Sequence, residues 1–367
     1  MKKLLLLLAL SGCVAAGHAQ EILLGTDFKM YFDNKEFGSN EFAVPGLDIE
    51  SGTDFAARLT PRVGIRWDEK NTLVIAADMI KNFGTQESAY LSEIKPVFYY
   101  QFQTPKVTAA AGIFTRDMMH DDDYSTAFFS ESERFFHNRM NGVLAQYNGK
   151  RNSYVEFVCD WEGMYSTLSR EKFRILLAGR HYLDTFYYGF NYSMFHYAGQ
   201  QGAPIENVVD LQLLTPCVGV RFNAFFDFDI KLGALLTAQR DRSFGHSWEK
   251  PCMGEFAFRI SRWGLSLDER LYVGDNIHPF FYGHELEDGT PLPYGRELYP
   301  AESFFRTDQK VYNRTALSYR RSFFDDTVSV RAEFAAHHDG TALGTQQMLV
   351  VGVKLLKTVY NSKNHKK

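Results

Sequence analysis

Histidines beside carboxylates are the residues of this chain whose types and spacing best suit catalysis. They occur as His337-His338-Asp339, as His120 beside Asp121-Asp122-Asp123, and as His278 with His284. Such groups suit a hydrolase acting on lipid or peptide, or contacts to divalent cations or lipopolysaccharide. A lipase would also need a serine beside one of them, and the chain has no Gly-x-Ser-x-Gly, His-Glu-x-x-His or glycine-rich phosphate loop. We therefore expect polar rim residues here, and no enzyme, catalytic residue, cofactor or bound metal.

The first residues have the composition of a secretory leader. Two lysines precede an apolar run, 4–10, and small residues follow up to Ala19. This is typical of a signal peptide cleaved after Ala19, and the run is too short to span a bilayer as a helix. We expect a signal peptide over 1–19 and an exported chain over 20–367. The alternative is a lipoprotein leader, since Leu-Ser-Gly-Cys ending at Cys13 resembles a lipobox.

Composition narrows the class of protein further. Aromatic residues make up 15% of the chain and the formal net charge is −4. A nearly neutral chain lacks the basic face that a nucleic-acid partner usually requires. No later stretch approaches the 18 consecutive apolar residues of a transmembrane helix.

Side chains alternate between apolar and polar along most of the chain, which predicts strands. The stretch from Phe226 alternates Phe, Phe, Ile and Leu with Asp, Asp, Lys and Gly, and the stretch from Val328 does the same. A soluble sandwich also alternates. However, several segments run 11 to 14 residues, which suits a tilted bilayer crossing of about 9–11 residues better than a soluble strand.

The connections between these segments alternate short and long. The sixteen strands that we predict begin near Leu23, Phe55, Thr72, Ser92, Lys106, Gly142, Ser153, Lys172, Thr185, Gln212, Phe225, Gly254, Gly264, Gln309, Thr327 and Gln346. Outer-membrane barrels have short periplasmic turns and long extracellular loops. We therefore predict an all-β antiparallel transmembrane barrel with an even strand number of about 16 (14–18).

In such a barrel the polar face points inward and the apolar face meets lipid. At about sixteen strands an aqueous channel remains unless something fills it. The loop 117–140 is the candidate filler, because it combines acids with several phenylalanines that could pack on the wall. The charged residues predicted to line or constrict the pore are Arg58, Arg62, Arg66, Arg116, Asp121, Asp122, Asp123, Glu131 and Glu133.

Sixteen strands with a long third loop resemble the general porins. The resemblance implies that the loop bends into the barrel and that its acids face a basic ladder, for which Arg58, Arg62 and Arg66 are the candidates. It also implies passive diffusion of small hydrophilic solutes, contact with outer-membrane lipid and lipopolysaccharide, and allows a homotrimer. A leader followed by Gln20 is similar to that of barrels from Bacteroidota.

Two other functions compete with a pore. The long loops Asn34–Asp54 and Asp275–Asp308 are rich in Pro, Gly, Tyr and acids, which suits an ordered extracellular cap. A receptor, adhesin or structural barrel with no open pore would use such a cap. A barrel hydrolase acting on lipid or peptide is the other alternative.

Overall fold

Long antiparallel strands make up most of this chain. The computed structural model describes residues 21–37, 51–84, 89–203, 207–245, 247–281, 284–285, 291–292, 294–306, 309–341 and 343–361. The strands are β1 (Glu21–Phe37), β2 (Gly52–Trp67), β3 (Asn71–Asn82), β4 (Glu93–Gln103), β5 (Val107–Thr115), β6 (Arg139–Asn148), β7 (Tyr154–Gly163), β8 (Arg170–Leu183), β9 (Phe186–Gln200), β10 (Val209–Asn223), β11 (Asp227–Asp241), β12 (Cys252–Arg262), β13 (Leu265–Gly274), β14 (His284–Glu285), β15 (Pro291–Leu292), β16 (Val311–Phe323), β17 (Val328–His338) and β18 (Leu343–Asn361).

Among the described residues, sixteen of these strands close into one barrel in the order β1-β18-β17-β16-β13-β12-β11-β10-β9-β8-β7-β6-β5-β4-β3-β2. Pairing of β1 with β18, from Glu21 opposite Asn361 to Phe37 opposite Gly344, removes both sheet edges. The short strands β14 and β15 form a separate hairpin. Two short helices, α1 (Glu131–Phe136) and α2 (Gly295–Leu298), lie in long connections. The predicted fold class and the sixteen strands are confirmed.

The two faces of the wall have opposite chemistry. On β2, Phe55, Leu59 and Val63 are 41%, 39% and 51% exposed on the outside, whereas Ala56 and Arg58 are 0% and 3% exposed on the inside. This is the reverse of a soluble protein and matches a wall that faces hydrocarbon. In the described part of the chain, no helix is long and apolar enough to cross a membrane, a finding that concerns helices alone.

Short turns join the strands at one end of the barrel, which we call the short-turn end, and longer connections join them at the other, the long-loop end. The β12–β13 turn uses Trp263 and Gly264, with φ of 53° and 86°. Two positive φ values in a two-residue loop are typical of a type I′ hairpin, whose twist suits the flanking strands. A Cβ on Gly264 would lie 2.6 Å from the carbonyl oxygen of Arg320, so glycine also relieves a close approach.

The barrel interior is more filled than the sequence predicts. Phe128 and Phe129, from the segment between β5 and β6, are 2% and 0% exposed and belong to one apolar cluster with lumen-facing side chains of many strands. The long connection after β13, predicted to form an outer cap, instead contributes Phe304 and Phe305 to the same cluster. Both segments therefore pack inside the wall. The parts of the predicted cap at 38–50, 282–283, 286–290, 293 and 307–308 lie outside the described residues.

Replacing Phe129 by alanine should destabilise the barrel, because it leaves a cavity among fully buried groups. The Phe129 ring also lies 3.9 Å from the guanidinium carbon of Arg116. We expect the free energy of unfolding to fall by about 3–5 kcal/mol, measured by urea unfolding in lipid vesicles. As a control, Phe324→Ala, at a turn residue that is 79% exposed, should change it by less than about 0.5 kcal/mol. Equal effects of the two substitutions would contradict the packing of this segment.

Candidate functional site

Acids of the segment 116–138 contact cations on opposite sides of the barrel wall. Each contact joins the interior segment to a different strand, so the segment is fixed across the lumen. The ion pairs are Asp117–Lys29 (3.5 Å), Asp122–Arg320 (3.5 Å), Asp123–Arg180 (2.7 Å) and Glu131–Arg331 (3.2 Å).

The three arginines predicted to face these acids have other carboxylate partners. Arg58 pairs with Asp78 at 2.9 Å, Arg62 with Asp27 at 2.8 Å, and Arg66 with Glu21 at 3.2 Å. All three carboxylates lie on strands next to β2, within reach of a side chain one strand away. Arg58 alone among the three also contacts the segment, since its Nη2 donates to the carbonyl oxygen of Phe136 at 3.3 Å. The basic side that faces the loop acids is thus formed mainly by β1, β8, β16 and β17.

A cavity of about 660 Å³ lies between this segment and the wall formed by β1, β2, β16, β17 and β18. Its volume lies in the range of small-molecule pockets. Acids and bases are equally numerous among the charged residues that line it. They are Asp27, Asp117, Asp121, Asp122, Asp123 and Glu131, and Lys29, Arg58, Arg134, Arg320, Arg331 and Lys354.

Charges around the segment determine the ionisation of its acids. Burial alone would raise the pKa of Glu131, but Arg331 and Arg134 outweigh it and lower that pKa to about 2. Burial also opposes ionisation of Asp117, yet two wall lysines hold its pKa below the ordinary value. For Asp121, burial dominates over the nearby arginine and raises the pKa. Glu131 therefore stays ionised at neutral pH and holds the segment to Arg331 of β17.

A second arrangement in this segment pairs an acid with an accessible histidine. Nδ1 of His137 lies 2.6 Å from Oε2 of Glu133, and the His137 side chain is 63% exposed. A carboxylate only accepts hydrogen bonds, so Nδ1 carries the proton and Nε2 of the neutral ring keeps its lone pair. Burial opposes ionisation of Glu133, but His137 and Arg116 outweigh it and lower the Glu133 pKa.

Neighbouring residues fix this pair near the long-loop end. Arg116 is buried, donates from Nε to the His137 carbonyl oxygen at 2.9 Å, and lies 3.9 Å from Glu133. Ser132 donates to Asp54, the third residue of β2, at 3.1 Å. Arg116 and Glu133, both predicted to line a pore, are thus brought together with His137, which the sequence analysis missed.

A local signal could have revealed the pair. Ser130 accepts a hydrogen bond from the backbone N–H of Glu133 at 3.0 Å, and so caps α1. Ser-x-x-Glu is the capping-box pattern that starts a helix. Once a helix starts there, Glu133 and His137 are four residues apart and share one face.

The histidines singled out from the sequence have structural partners instead. His120 stacks on Tyr154 at 3.8 Å between ring centroids, and His278 lies 4.4 Å from the Tyr299 ring. His337 is buried and bonded to Tyr312 and Gln346. The side chain of His284 is outside the described residues. Within the described ranges, no group of three or more His, Cys, Asp or Glu residues is arranged to hold a metal ion.

Comparison with known families decides the family of this barrel. The model of the lipid A 3'-O-deacylase-type family matches residues 14–245, well over half of the 367 residues. This chain belongs to the lipid A 3'-O-deacylase-type family. The expectation that the protein is not an enzyme is therefore wrong. The matched range contains α1 with Glu133 and His137. No curated protein matches the chain.

Solved structures similar to this family member are outer-membrane porins. OpdK of Pseudomonas aeruginosa with vanillate is 9% identical, with 93% of this chain and 100% of that chain covered and a TM-score of 0.49. OprD of Pseudomonas aeruginosa is 10% identical, with 92% and 96% covered and a TM-score of 0.48. A mutant of the Rh. blastica porin is 11% identical, with 91% and 100% covered and a TM-score of 0.45.

Glu131→Gln tests the ion pair that joins the segment to Arg331 of β17. Because the folded-state pKa is lowered, ionised Glu131 stabilises the barrel above its ordinary pKa of 4.5, and this contribution is lost as the pH falls from there to about 2. At neutral pH we expect the substitution to lower the free energy of unfolding by about 2 kcal/mol. The difference from the unsubstituted protein should shrink towards zero as the pH falls through that window.

Urea unfolding at several pH values measures this difference. Asp325→Asn, at an exposed turn carboxylate, is the matched control and should leave stability nearly unchanged at each pH. A Glu131→Gln deficit that is constant across the whole range would contradict the assigned ion pair.

Proposed function

We propose that this protein is an outer-membrane hydrolase that cleaves an acyl ester of a lipid A-type glycolipid. The observation that carries the proposal is the Glu133–His137 pair, with its 2.6 Å contact and accessible ring, in a chain of this family. Export through a leader cleaved after Ala19 and an origin in Bacteroidota stay predictions. The apolar outer face of the barrel supports a place in the outer membrane.

The pair suits activation of water. Nε2 of His137 takes a proton from a water molecule while Glu133 holds the ring through Nδ1 and stabilises the imidazolium that forms. The resulting hydroxide attacks the ester carbonyl carbon and the bond to the alkoxy oxygen breaks. Return of the proton from Nε2 to that oxygen yields a free fatty acid and a lipid hydroxyl. Glu133 acts through His137 and is a positioning residue.

His137→Ala should reduce hydrolysis by about 10²- to 10⁴-fold, the usual contribution of a general base. The measurement is fatty-acid release from lipid A in phosphatidylcholine vesicles, followed by mass spectrometry. His181→Ala is the matched control, because His181 is an exposed histidine at the short-turn end of β8, and it should retain full activity. Full activity of His137→Ala would overturn the assigned site.

Glu133→Gln separates positioning from mere structural support. Without the carboxylate, Nδ1 of His137 loses the acceptor that orients the ring and stabilises the developing imidazolium. We expect kcat to fall by about tenfold or more while KM stays nearly unchanged, and we expect Glu133→Asp to recover part of the lost rate. A raised KM with no recovery in Glu133→Asp would indicate that Glu133 only maintains the shape of α1.

A second candidate function is the passive diffusion of small hydrophilic solutes predicted from the sequence. The cavity of about 660 Å³ with opposed charges favours it, whereas the filled interior favours a closed receptor or scaffold. Single-channel conductance in planar bilayers distinguishes the two, because a closed barrel passes almost no current. Homotrimer formation stays a prediction.

If the cavity conducts, its cations should influence ion selectivity. Changing Lys29, Arg320 and Lys354 to glutamine leaves the lining acids in excess and should shift selectivity towards cations. The control changes Arg262, Arg321 and Lys357, which follow the outward alternation of their strands, and should leave selectivity unaltered. Unaltered selectivity in the first variant would show that current does not pass this cavity.

A further inference from the structure

A row of polar side chains faces outward on the wall near the long-loop end of β9, β10 and β11. Phe195, Tyr197, Val209 and Leu211 are buried on the inner side, so alternation places His196 and Asp210 outside. The register sets His196 opposite Asp210, and Asp210 opposite Arg240. Nδ1 of His196 lies 3.6 Å from Oδ1 of Asp210. Three neighbouring strands thus place ionisable groups on the lipid-facing side.

Two guanidinium groups converge on one carboxylate in this row. Arg240 Nε donates to Asp210 at 2.7 Å, and Arg242 donates to both oxygens of Asp210 at 2.8 Å each. The side chains of Arg240 and Arg242 are 29% and 45% exposed. Even with His196 neutral, the group formed by Asp210, Arg240 and Arg242 has one excess positive charge, and both arginines retain N–H groups beyond those bonds.

Aromatic rings flank these charges on both sides. Trp161 stacks on Phe173 at 5.1 Å, and Phe173 lies 5.0 Å from the His196 ring. On the other side, Arg240 lies over Trp248 at 4.6 Å. Trp161 and Trp248 are 44% and 38% exposed. Tryptophans at this level are typical of the girdle where the bilayer meets water.

Charged groups on a lipid-facing wall are costly in the hydrocarbon and are tolerated near the interface, where headgroups and water reach them. Contact with water at the membrane surface alone would not require two arginines around one carboxylate beside exposed tryptophans. Guanidinium groups bind phosphate through paired N–H donors, and flat aromatic faces offer apolar contact to sugar rings. The excess charge and the rings therefore complement a phosphorylated sugar headgroup.

We propose that the cluster of His196, Asp210, Arg240, Arg242 and Trp248 binds the phosphate of an outer-leaflet glycolipid against the outer wall. Arg242 and Arg240 contact the phosphate, Asp210 holds the two guanidinium groups in position, and Trp248 packs on the sugar. This goes beyond the proposed hydrolysis, because binding at the wall requires no ester cleavage and no contribution from His137.

The test compares lipid binding of two variants that change the same kind of residue. Asp210→Asn, Arg240→Gln and Arg242→Gln are combined, so that no unpaired carboxylate is left on the lipid face. The control combines Arg262→Gln and Arg321→Gln, at arginines that also lie over aromatic rings but at the short-turn end. Heat-modifiable migration in gels checks that each barrel is folded.

Each protein is reconstituted in phosphatidylcholine nanodiscs containing diphosphorylated lipid A, dephosphorylated lipid A or phosphatidylglycerol. Lipids retained by the protein are counted by native mass spectrometry. We expect diphosphorylated lipid A to be retained by the unsubstituted protein and by the control, and at least tenfold less by the triple variant. Retention independent of the triple substitution overturns the proposal. So does equal retention of dephosphorylated lipid A or of phosphatidylglycerol, since phosphate or sugar would then make no contribution.

His137→Ala keeps this result separate from the proposed activity. If that variant loses hydrolysis but retains diphosphorylated lipid A, both assignments are supported. If the unsubstituted protein retains the lipid at the cluster but hydrolyses none, the hydrolysis proposal fails and the binding site stands.

Discussion

Backbone pairing in a medium without water is the constraint on which the rest of this structure depends. An unpaired N–H or C=O in hydrocarbon costs several kcal/mol, so a sheet that crosses a membrane must close on itself. The pairing of β1 with β18 achieves this closure. Once the sheet is closed, each strand has one face towards lipid and one towards the interior. Alternation at period two then places the ionisable residues either inside the barrel or at its rims.

Sixteen strands enclose more space than side chains of the wall can fill, and this shapes the interior. The segments after β5 and β13 supply the missing apolar volume through Phe128, Phe129, Phe304 and Phe305. Acids of the first of these segments then lie beside wall cations, and Arg331 together with Arg134 lowers the pKa of Glu131. Filling of the lumen thus leaves a bounded cavity against β16–β18, β1 and β2, in place of the wide aqueous channel that strand number alone predicts.

Local sequence patterns predicted the strands of the wall. The pairing of charged side chains across the strands depends on contacts between distant parts of the chain, which those patterns do not contain. Strand number and the alternation of short and long connections follow from period-two patterning and turn residues. The carboxylate partners of the three β2 arginines depend on which strands become neighbours and on how far a side chain reaches across them. A sequence pattern therefore could not choose Asp78, Asp27 and Glu21 as these partners over the acids of the loop.

The Glu133–His137 pair could have been predicted locally, because Ser130 caps the helix that holds Glu133. Catalysis was excluded because familiar soluble-enzyme motifs were absent, which is weak evidence for a barrel whose reacting groups lie in loops.

The two candidate functions draw on overlapping parts of the chain. The family match ends at residue 245, after the strands and segment that contain Glu133, His137, Asp210, Arg240 and Arg242. The strands that follow, β12, β13 and β16–β18, complete the closure and supply the cavity cations Arg320, Arg331 and Lys354. The proposed acid–histidine pair and the proposed wall cluster therefore lie on the first eleven strands and their loops, whereas the last five strands complete the barrel and part of the cavity wall. The segment after β13 also contacts the start of α1, because Glu302 accepts a hydrogen bond from the backbone N–H of Glu131 at 3.1 Å and the Pro300 carbonyl oxygen accepts one from Ser130 at 2.8 Å. The position of the acid–histidine pair therefore depends on residues beyond the matched range as well.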